Sequence, residues 1–131
     1  MTSTQSSENV RTADYFTISQ NGQVLFTTDR IRVEHQSGHI SIEGSRRLGF
    51  ADEELIHLVI DPATPSGEQP FKRGERLKSV FHRNSKDGER YAYEGRFDAN
   101  LDNDNKKYRL TFELKFYGHT HAIKCEIDVA G

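Results

Sequence analysis

Two histidines and one cysteine near the end of this 131-residue chain have the residue types and spacing that most resemble a chemical site. His119 and His121 are separated by one residue, and Cys125 follows four residues after His121. Imidazole nitrogens and thiolates are the ligands that Zn²⁺ prefers in proteins. Whether the stretch holds a metal depends on which of the three side chains share a face of the strands that carry them.

The residues around this stretch alternate between apolar and polar with a period of two, which predicts an antiparallel hairpin. A turn at Gly118-His119 aligns apolar residues on one face and opposite charges on the other. In this register His119 lies in the turn, His121 faces the core and Cys125 is a small core residue. We therefore predict no metal and no cofactor here, unless another histidine converges on the same end; the candidates are His35, His39, His57 and His82. The predicted pairs are Phe116 with His121, Leu114 with Ile123 and Phe112 with Cys125.

The preceding segment continues the pattern through a turn at Asp104-Asn105. Its outer face carries charges that match across the strands, as in the row Arg96–Glu113–Lys124. A slip of one residue would exchange the two faces, so the alternation specifies the register. The predicted apolar pairs are Leu101 with Tyr108, Phe97 with Phe112 and Tyr93 with Phe116.

The earlier part of the chain also contains strand and turn signals. A turn at Ser37-Gly38 sets Val33 opposite Ile42. Residues 54–61 favour a buried strand, with a short helix over residues 51–59 as the alternative, and residues 61–75 contain all three prolines and predict a long loop. The fold class predicted is all-β, an antiparallel meander of eight or nine strands forming a β-sandwich or an up-and-down β-barrel.

Composition limits the partners. The 18 basic and 20 acidic residues nearly balance, so no global attraction draws the chain to nucleic acid or to an acidic membrane. No apolar run approaches the roughly 20 residues that cross a bilayer. We expect residues 1–12 to form a disordered tail and residues 13–131 to form one all-β domain. A single cysteine fits a reducing compartment, so the expected location is cytoplasmic.

Gly95 interrupts a row of aromatic residues within a predicted strand. A glycine there either lets the sheet bend, which is the favoured interpretation, or leaves a gap that a small amphipathic ligand can fill. The predicted lining of such a pocket is Ser79, Tyr91, Tyr93, Gly95, Phe116 and His121.

Basic residues gather near the long proline-containing loop and at the end of a strand before it. They are interpreted either as a solvated surface or as a patch that binds an anion or a protein partner. Few aromatic residues for base stacking lie among them, so nucleic acid is not favoured. The patch consists of Arg46, Arg47, Lys72, Arg73 and Arg76.

The sequence contains no catalytic motif of the G-x-S-x-G or H-E-x-x-H kind, and Asp52, Glu53 and Glu54 read as a solvated edge or a helix start. The function that we expect is therefore a non-enzymatic binding module for a small ligand or a protein partner. One alternative is an assembly subunit that pairs with a copy of itself through an exposed edge, residues 14–20 or 120–129. The other is a metal-dependent enzyme built on histidines at one end of a barrel.

Overall fold

The computed structural model describes residues 14–131, so the tail predicted over residues 1–12 lies outside the described residues. All the regular secondary structure in the described part is β-strand, which confirms the all-β prediction. Within that part there is no helix long and apolar enough to cross a membrane. The strands are β1 (Tyr15–Gln20), β2 (Gln23–Thr28), β3 (Ile31–Gln36), β4 (His39–Arg46), β5 (Glu54–Ile60), β6 (Gly67–Pro70), β7 (Leu77–Asn84), β8 (Gly88–Asp102), β9 (Lys107–Phe116) and β10 (Ile123–Ala130).

The alternation of the sequence becomes the two faces of the sheet. Strand β9 alternates exposed and buried residues over its whole length of 10 residues. Its buried residues meet the buried residues of both neighbours, so that Leu114 lies opposite Ile123 and Phe112 lies opposite both Cys125 and Phe97. These are the predicted registers. Residues 54–60 form a strand, as the sequence favoured, and not a helix.

Nine strands follow one path of antiparallel neighbours, β2-β1-β10-β9-β8-β7-β5-β4-β3, and β6 pairs with β8 beside it. Strands β2 and β3 stand at the two ends of this path and are joined only by Asp29 and Arg30. The two ends of the path are therefore close together in space. The ends meet there, because the hydroxyl of Thr28 on β2 donates to the carbonyl of Ser45 on β4 at 2.7 Å. The Ser45 amide in turn donates to the carbonyl of Arg30 at 3.1 Å, which extends the ladder between β3 and β4. The sheet is thus a meander nearly closed into a barrel.

Apolar side chains from all sides fill the interior as one cluster. The ring of Phe16 lies so close to Gly44 that a side chain at Gly44 would collide with it. Fully buried aromatic and aliphatic side chains contribute roughly 1.5–3 kcal/mol each, so this cluster dominates the stability of the fold. The interior is therefore a packed core around which the polar sites are arranged.

Two sequence predictions about register and loops are wrong, and both errors lie near the bend of β8. A bulge at Tyr93 shifts the pairing, so that Ala92, and not Tyr93, lies opposite Phe116. The predicted loop over residues 61–75 contains the short strand β6, which pairs with β8 over Arg96–Ala99. The cause of both is that β8 leaves β7 after Tyr91 and continues beside β6 and β9.

The connection between β9 and β10 is also longer than the predicted two-residue turn. It spans residues 117–122, although the register of the strands on either side is the predicted one. Residue His121 is consequently exposed in this loop and does not face the core. The two segments considered as exposed edges pair with each other, since β1 lies between β2 and β10.

Candidate functional site

The inward-facing residues of three neighbouring strands change from apolar to polar at one end of the barrel. Ile42, Leu58 and Val80 form an apolar row across β4, β5 and β7. The next row contains Gly44, Ile56 and His82, and the row after it contains Arg46, Glu54 and Asn84. Because residues two apart share a face of a strand, the polar residues come together at the mouth of the barrel.

A continuous chain of hydrogen bonds links these residues to a loop histidine. Glu54 Oε1 lies 3.1 Å from Arg46 Nη2, and Glu54 Oε2 lies 2.7 Å from His82 Nε2. The other ring nitrogen of His82, Nδ1, lies 3.2 Å from Nε2 of His119. His82 is only 2% exposed and Glu54 only 9% exposed. We call the four residues Arg46, Glu54, His82 and His119 the mouth network.

The loop over residues 117–122 places His119 above His82. The amide of Tyr117 donates to the carbonyl of Tyr91 at 3.0 Å, and the amide of His119 donates to the carbonyl of Phe116 at 3.1 Å. The His119 ring meets the Phe116 ring edge-on, with centroids 6.2 Å apart. Gly118 has a φ of +85°, which favours glycine, and lies against the Arg90 guanidinium. The loop is therefore held in place by backbone hydrogen bonds on one side and by Arg90 on the other.

Burial and neighbouring charges together determine which groups of the mouth network carry a proton. Burial alone would raise the pKa of Glu54, but the hydrogen bonds and charges of His82 and Arg46 outweigh it and hold that pKa below its ordinary value. Burial, followed by the proximity of His82, lowers the pKa of His119. Glu54 is therefore ionised at neutral pH, and His119 is neutral. The arrangement can orient the Arg46 guanidinium and hold a proton between two imidazoles.

The three residues that suggested a metal site point in different directions. His119 faces His82, whereas His121 is exposed, and its carbonyl accepts a hydrogen bond from the side chain of Gln20 at 2.9 Å. Cys125 is fully buried among apolar residues, and burial raises the pKa of its thiol well above the ordinary value. Among residues 14–131 no group of three or more His, Cys, Asp or Glu side chains is arranged to hold a metal ion.

A groove of about 410 Å³ opens where β2 and β4 meet, and we call it the seam groove. Arg46 belongs both to this groove and to the mouth network, and its guanidinium lies 5.5 Å from the centroid of the Phe26 ring. Arg47 pairs with Asp52 at 2.7 Å. Besides these, a third guanidinium, three hydroxyl groups and two carboxylates line the groove. The charged and hydroxyl-bearing residues of the lining are Asp14, Tyr15, Thr27, Thr28, Asp29, Arg30, Arg46 and Arg47.

The residues predicted to line an internal pocket are spread over both faces of the sheet. Phe116 is fully buried in the core, but Tyr93 is 42% exposed and stacks on Tyr117 with ring centroids 4.5 Å apart. Ser79 and Tyr91 are partly exposed, and His121 is exposed in its loop. The bulge at Tyr93 turns Tyr91 and Tyr93 away from the side of the sheet that Phe116 faces, and the length of the 117–122 loop does the same for His121. Ser79 lies next to the buried Val80 on β7 and so faces the other side.

Gly95 lies at the bend of β8, beside a groove of about 370 Å³ on the outer face. The charges around that groove are paired, Arg96 with Glu68 at 3.1 Å and Lys115 with Glu94 at 3.5 Å. Such rows are typical of the solvated face of an antiparallel sheet. A Cβ atom on Gly95 would collide with the Glu113 carbonyl and lie 2.8 Å from the Cα of Leu114, so the bend itself requires a glycine.

The predicted basic patch is divided between the two ends of β5. Arg46 and Arg47 lie beside its first residue. Arg76 lies beyond its last residue, where its guanidinium is 3.7 Å from the Asp61 carboxylate. Arg73 lies over the Tyr91 ring at 5.2 Å, and Lys72 is exposed in the turn that follows β6.

Sequence reasoning missed Arg30 and the inward position of Glu54, and it named His82 only as one of four histidines that could converge on the end that carries His119. A signal was present for Glu54 and His82, because Glu54 alternates with Ile56 and Leu58, and His82 is two residues from Val80. A polar residue that is an even number of positions away from buried residues of the same strand faces the core as they do. The predicted register of the Ser37-Gly38 hairpin already sets Arg30 opposite Ser45 and next to Arg46, whereas only closure of the barrel brings β2 to these residues. In comparisons with known proteins, the chain matches no family model, no curated protein and no solved structure.

Proposed function

We propose that this protein is a non-enzymatic binding module, and that its ligand is a small molecule carrying a carboxylate, phosphate or sulfate group bound in the seam groove. The observation that carries the proposal is the convergence of three guanidinium groups, from Arg30, Arg46 and Arg47, on one groove. Guanidinium groups bind such anions through paired hydrogen bonds, and the hydroxyl of Thr27 adds a further donor.

The free-energy cost of burying the charged residues of the mouth network supports this proposal. A buried ion pair is often no more stabilising than apolar side chains of similar volume. The three strands that carry the network already have apolar rows directly behind it. A carboxylate and an imidazole at this end therefore need a reason other than stability. Glu54 supplies one, because it fixes the position of the Arg46 guanidinium at the edge of the groove.

The charge of the groove indicates a small ligand and not a polyanion. Its lining contains three arginines and two aspartates, Asp14 and Asp29. Two of the arginines, Arg46 and Arg47, already pair with Glu54 and Asp52, so among the described residues only the third is without an ion pair. A ligand with one anionic group and hydrogen-bond donors for the two carboxylates matches this balance. The packed interior excludes a ligand at the centre of the barrel, which directs the proposal to the seam.

Calorimetric titration with sodium sulfate, phosphate and acetate at low ionic strength tests this proposal. Arg30 makes no ion pair among the described residues, so its replacement does not disturb a salt bridge there. Arg30→Ala is expected to weaken anion binding about tenfold or more, because a hydrogen bond to a charged group contributes about 1.5–3 kcal/mol.

Arg109→Ala is the matched control, since Arg109 is an exposed guanidinium on β9 that pairs with Asp128 at 3.4 Å. It is expected to bind the anions as the unmodified protein does. Equal weakening by the two substitutions would show general charge attraction only, and no binding of any of the three anions would refute the proposal. A cytoplasmic location is proposed with it, on the ground that Cys125 is a free, buried thiol.

A further inference from the structure

The two imidazoles at the mouth are placed so that they share one proton and not two. His82 Nδ1 and His119 Nε2 face each other at 3.2 Å. The other nitrogen of His82 faces the ionised Glu54 at 2.7 Å and therefore carries a hydrogen. The gap between the rings then holds one N–H pointing at one lone pair. The first added proton makes one of the two rings cationic and still leaves one N–H pointing at one lone pair. A second added proton makes both rings cationic and places two N–H groups against each other.

We infer that proton uptake by the His82–His119 pair and anion binding in the seam groove are linked, so that acid tightens binding and a bound anion raises the proton affinity of the pair. This inference rests on the proposed function. The physical link is Glu54, whose two oxygens are shared between Arg46 and His82. When His82 is cationic it neutralises Glu54 alone, and the charge of Arg46 becomes available to an anion in the groove.

The charges that surround the pair make this link effective. Arg90 lies opposite His82 on β8 and near His119, and Asp87 contributes a negative charge from the turn between β7 and β8. From β9 the pair meets the apolar ring of Phe116. With neutral imidazoles the mouth carries two positive and two negative charges, so each added proton gives it a net positive charge. The charged groups that complete this set are Arg46, Glu54, Asp87 and Arg90.

Binding and titration are measured together. Sulfate is the probe, because its charge does not change between pH 5.5 and 8, and its affinity is followed by calorimetry across this range. We expect the affinity to rise at least fivefold from pH 8 to pH 5.5, which corresponds to the lower end of typical coupling between two sites. By reciprocity, saturating sulfate is expected to move the imidazole titration of His82 and His119 to higher pH, as measured by nuclear magnetic resonance of the ring nitrogens.

Acid also charges the other histidines, so a matched control is needed. His57 is a half-buried histidine on the outer face, 3.5 Å from Glu43, and it does not belong to the mouth network. His57→Gln is expected to keep the pH dependence of sulfate binding, whereas His82→Gln is expected to reduce it to less than twofold. If His82→Gln does not fold, the titration shifts of the unmodified protein decide, because His57 should not move with sulfate while the pair does.

The possible results separate the two proposals. Sulfate binding that depends on Arg30 but varies less than twofold with pH, with no shift of the His82 and His119 titrations, overturns the linkage and leaves the binding function standing. No sulfate binding at any pH overturns both. A shift of His57 equal to that of the pair would also overturn the linkage, because it would show a general effect of charge.

Discussion

Replacement of Gly95 by alanine tests whether the bend of β8 depends on a backbone contact. Gly95 has a φ of +142°, a conformation that glycine adopts and other residues rarely do. The added Cβ would collide with the Glu113 carbonyl and lie 2.8 Å from the Cα of Leu114, both of them backbone atoms of the strand to which β8 is hydrogen-bonded. Neither atom can move without breaking the ladder between β8 and β9.

The expected loss of stability has two parts. Holding alanine in a backbone conformation that favours glycine costs about 1–3 kcal/mol, and overpacking against fixed atoms costs about 1–3 kcal/mol more. The sum is about 2–6 kcal/mol, a large fraction of the ~5–15 kcal/mol by which domains are usually stable. Gly38→Ala is the control, because Gly38 also has a positive φ, +82°, but a Cβ there would meet no atom within 4 Å. We expect that control to cost only about 1–2 kcal/mol.

Urea unfolding followed by far-ultraviolet circular dichroism measures both free energies, since the chain has no tryptophan. The two variants should unfold at clearly different urea concentrations. A Gly95→Ala variant no less stable than Gly38→Ala would contradict the close approach of β8 to β9. It would also contradict the conclusion that the bend requires a glycine at this position.

Three further predictions concern the core and the mouth network. Phe112→Ala should lower the free energy of unfolding by about 3–5 kcal/mol, and Lys124→Ala, on the outer face, by about 1 kcal/mol at most; equal losses in urea unfolding would contradict the assignment of faces. Cys125 should resist a thiol reagent in the native protein and react after unfolding, because its thiol is fully buried and its pKa is raised; rapid native modification would contradict its placement. The protein should also lose stability in acid. The pKa of His119 is lowered on folding, so the unfolded chain binds that proton more tightly and stability falls as the pH drops below about 6.5. The pKa of Glu54 is likewise lowered, so its contribution is present above about pH 4.3 and is lost as the pH falls through the folded value. A melting temperature that stays constant from pH 7.5 to pH 5 would contradict the assignment of His119, and one that stays constant from pH 5 to pH 2 would contradict that of Glu54.

Much of the sheet could be predicted because its information is local. In β9 and β10 buried residues alternate with more exposed ones, and a register error of one residue would place Leu114 and Ile123 in water. The candidate site could be predicted only in part. Arg46 and Arg47 were identified as basic residues at a strand end, but Glu54 was read as part of a solvated acidic edge although it faces inward and meets His82.

The sequence by itself determined the class of the fold, the two faces of its strands and the pairing of the C-terminal hairpins, because side-chain alternation and turn residues act between neighbours in the chain. Tertiary structure decided the closure of the barrel, which brings Thr28 to Ser45, and the meeting of His82 with His119 across 37 residues. It also decided the bulge at Tyr93, where β8 exchanges one partner for another. The physical reason is that these contacts depend on the curvature of the whole sheet. That curvature accumulates over many strands, so the sequence of a single strand does not reveal it.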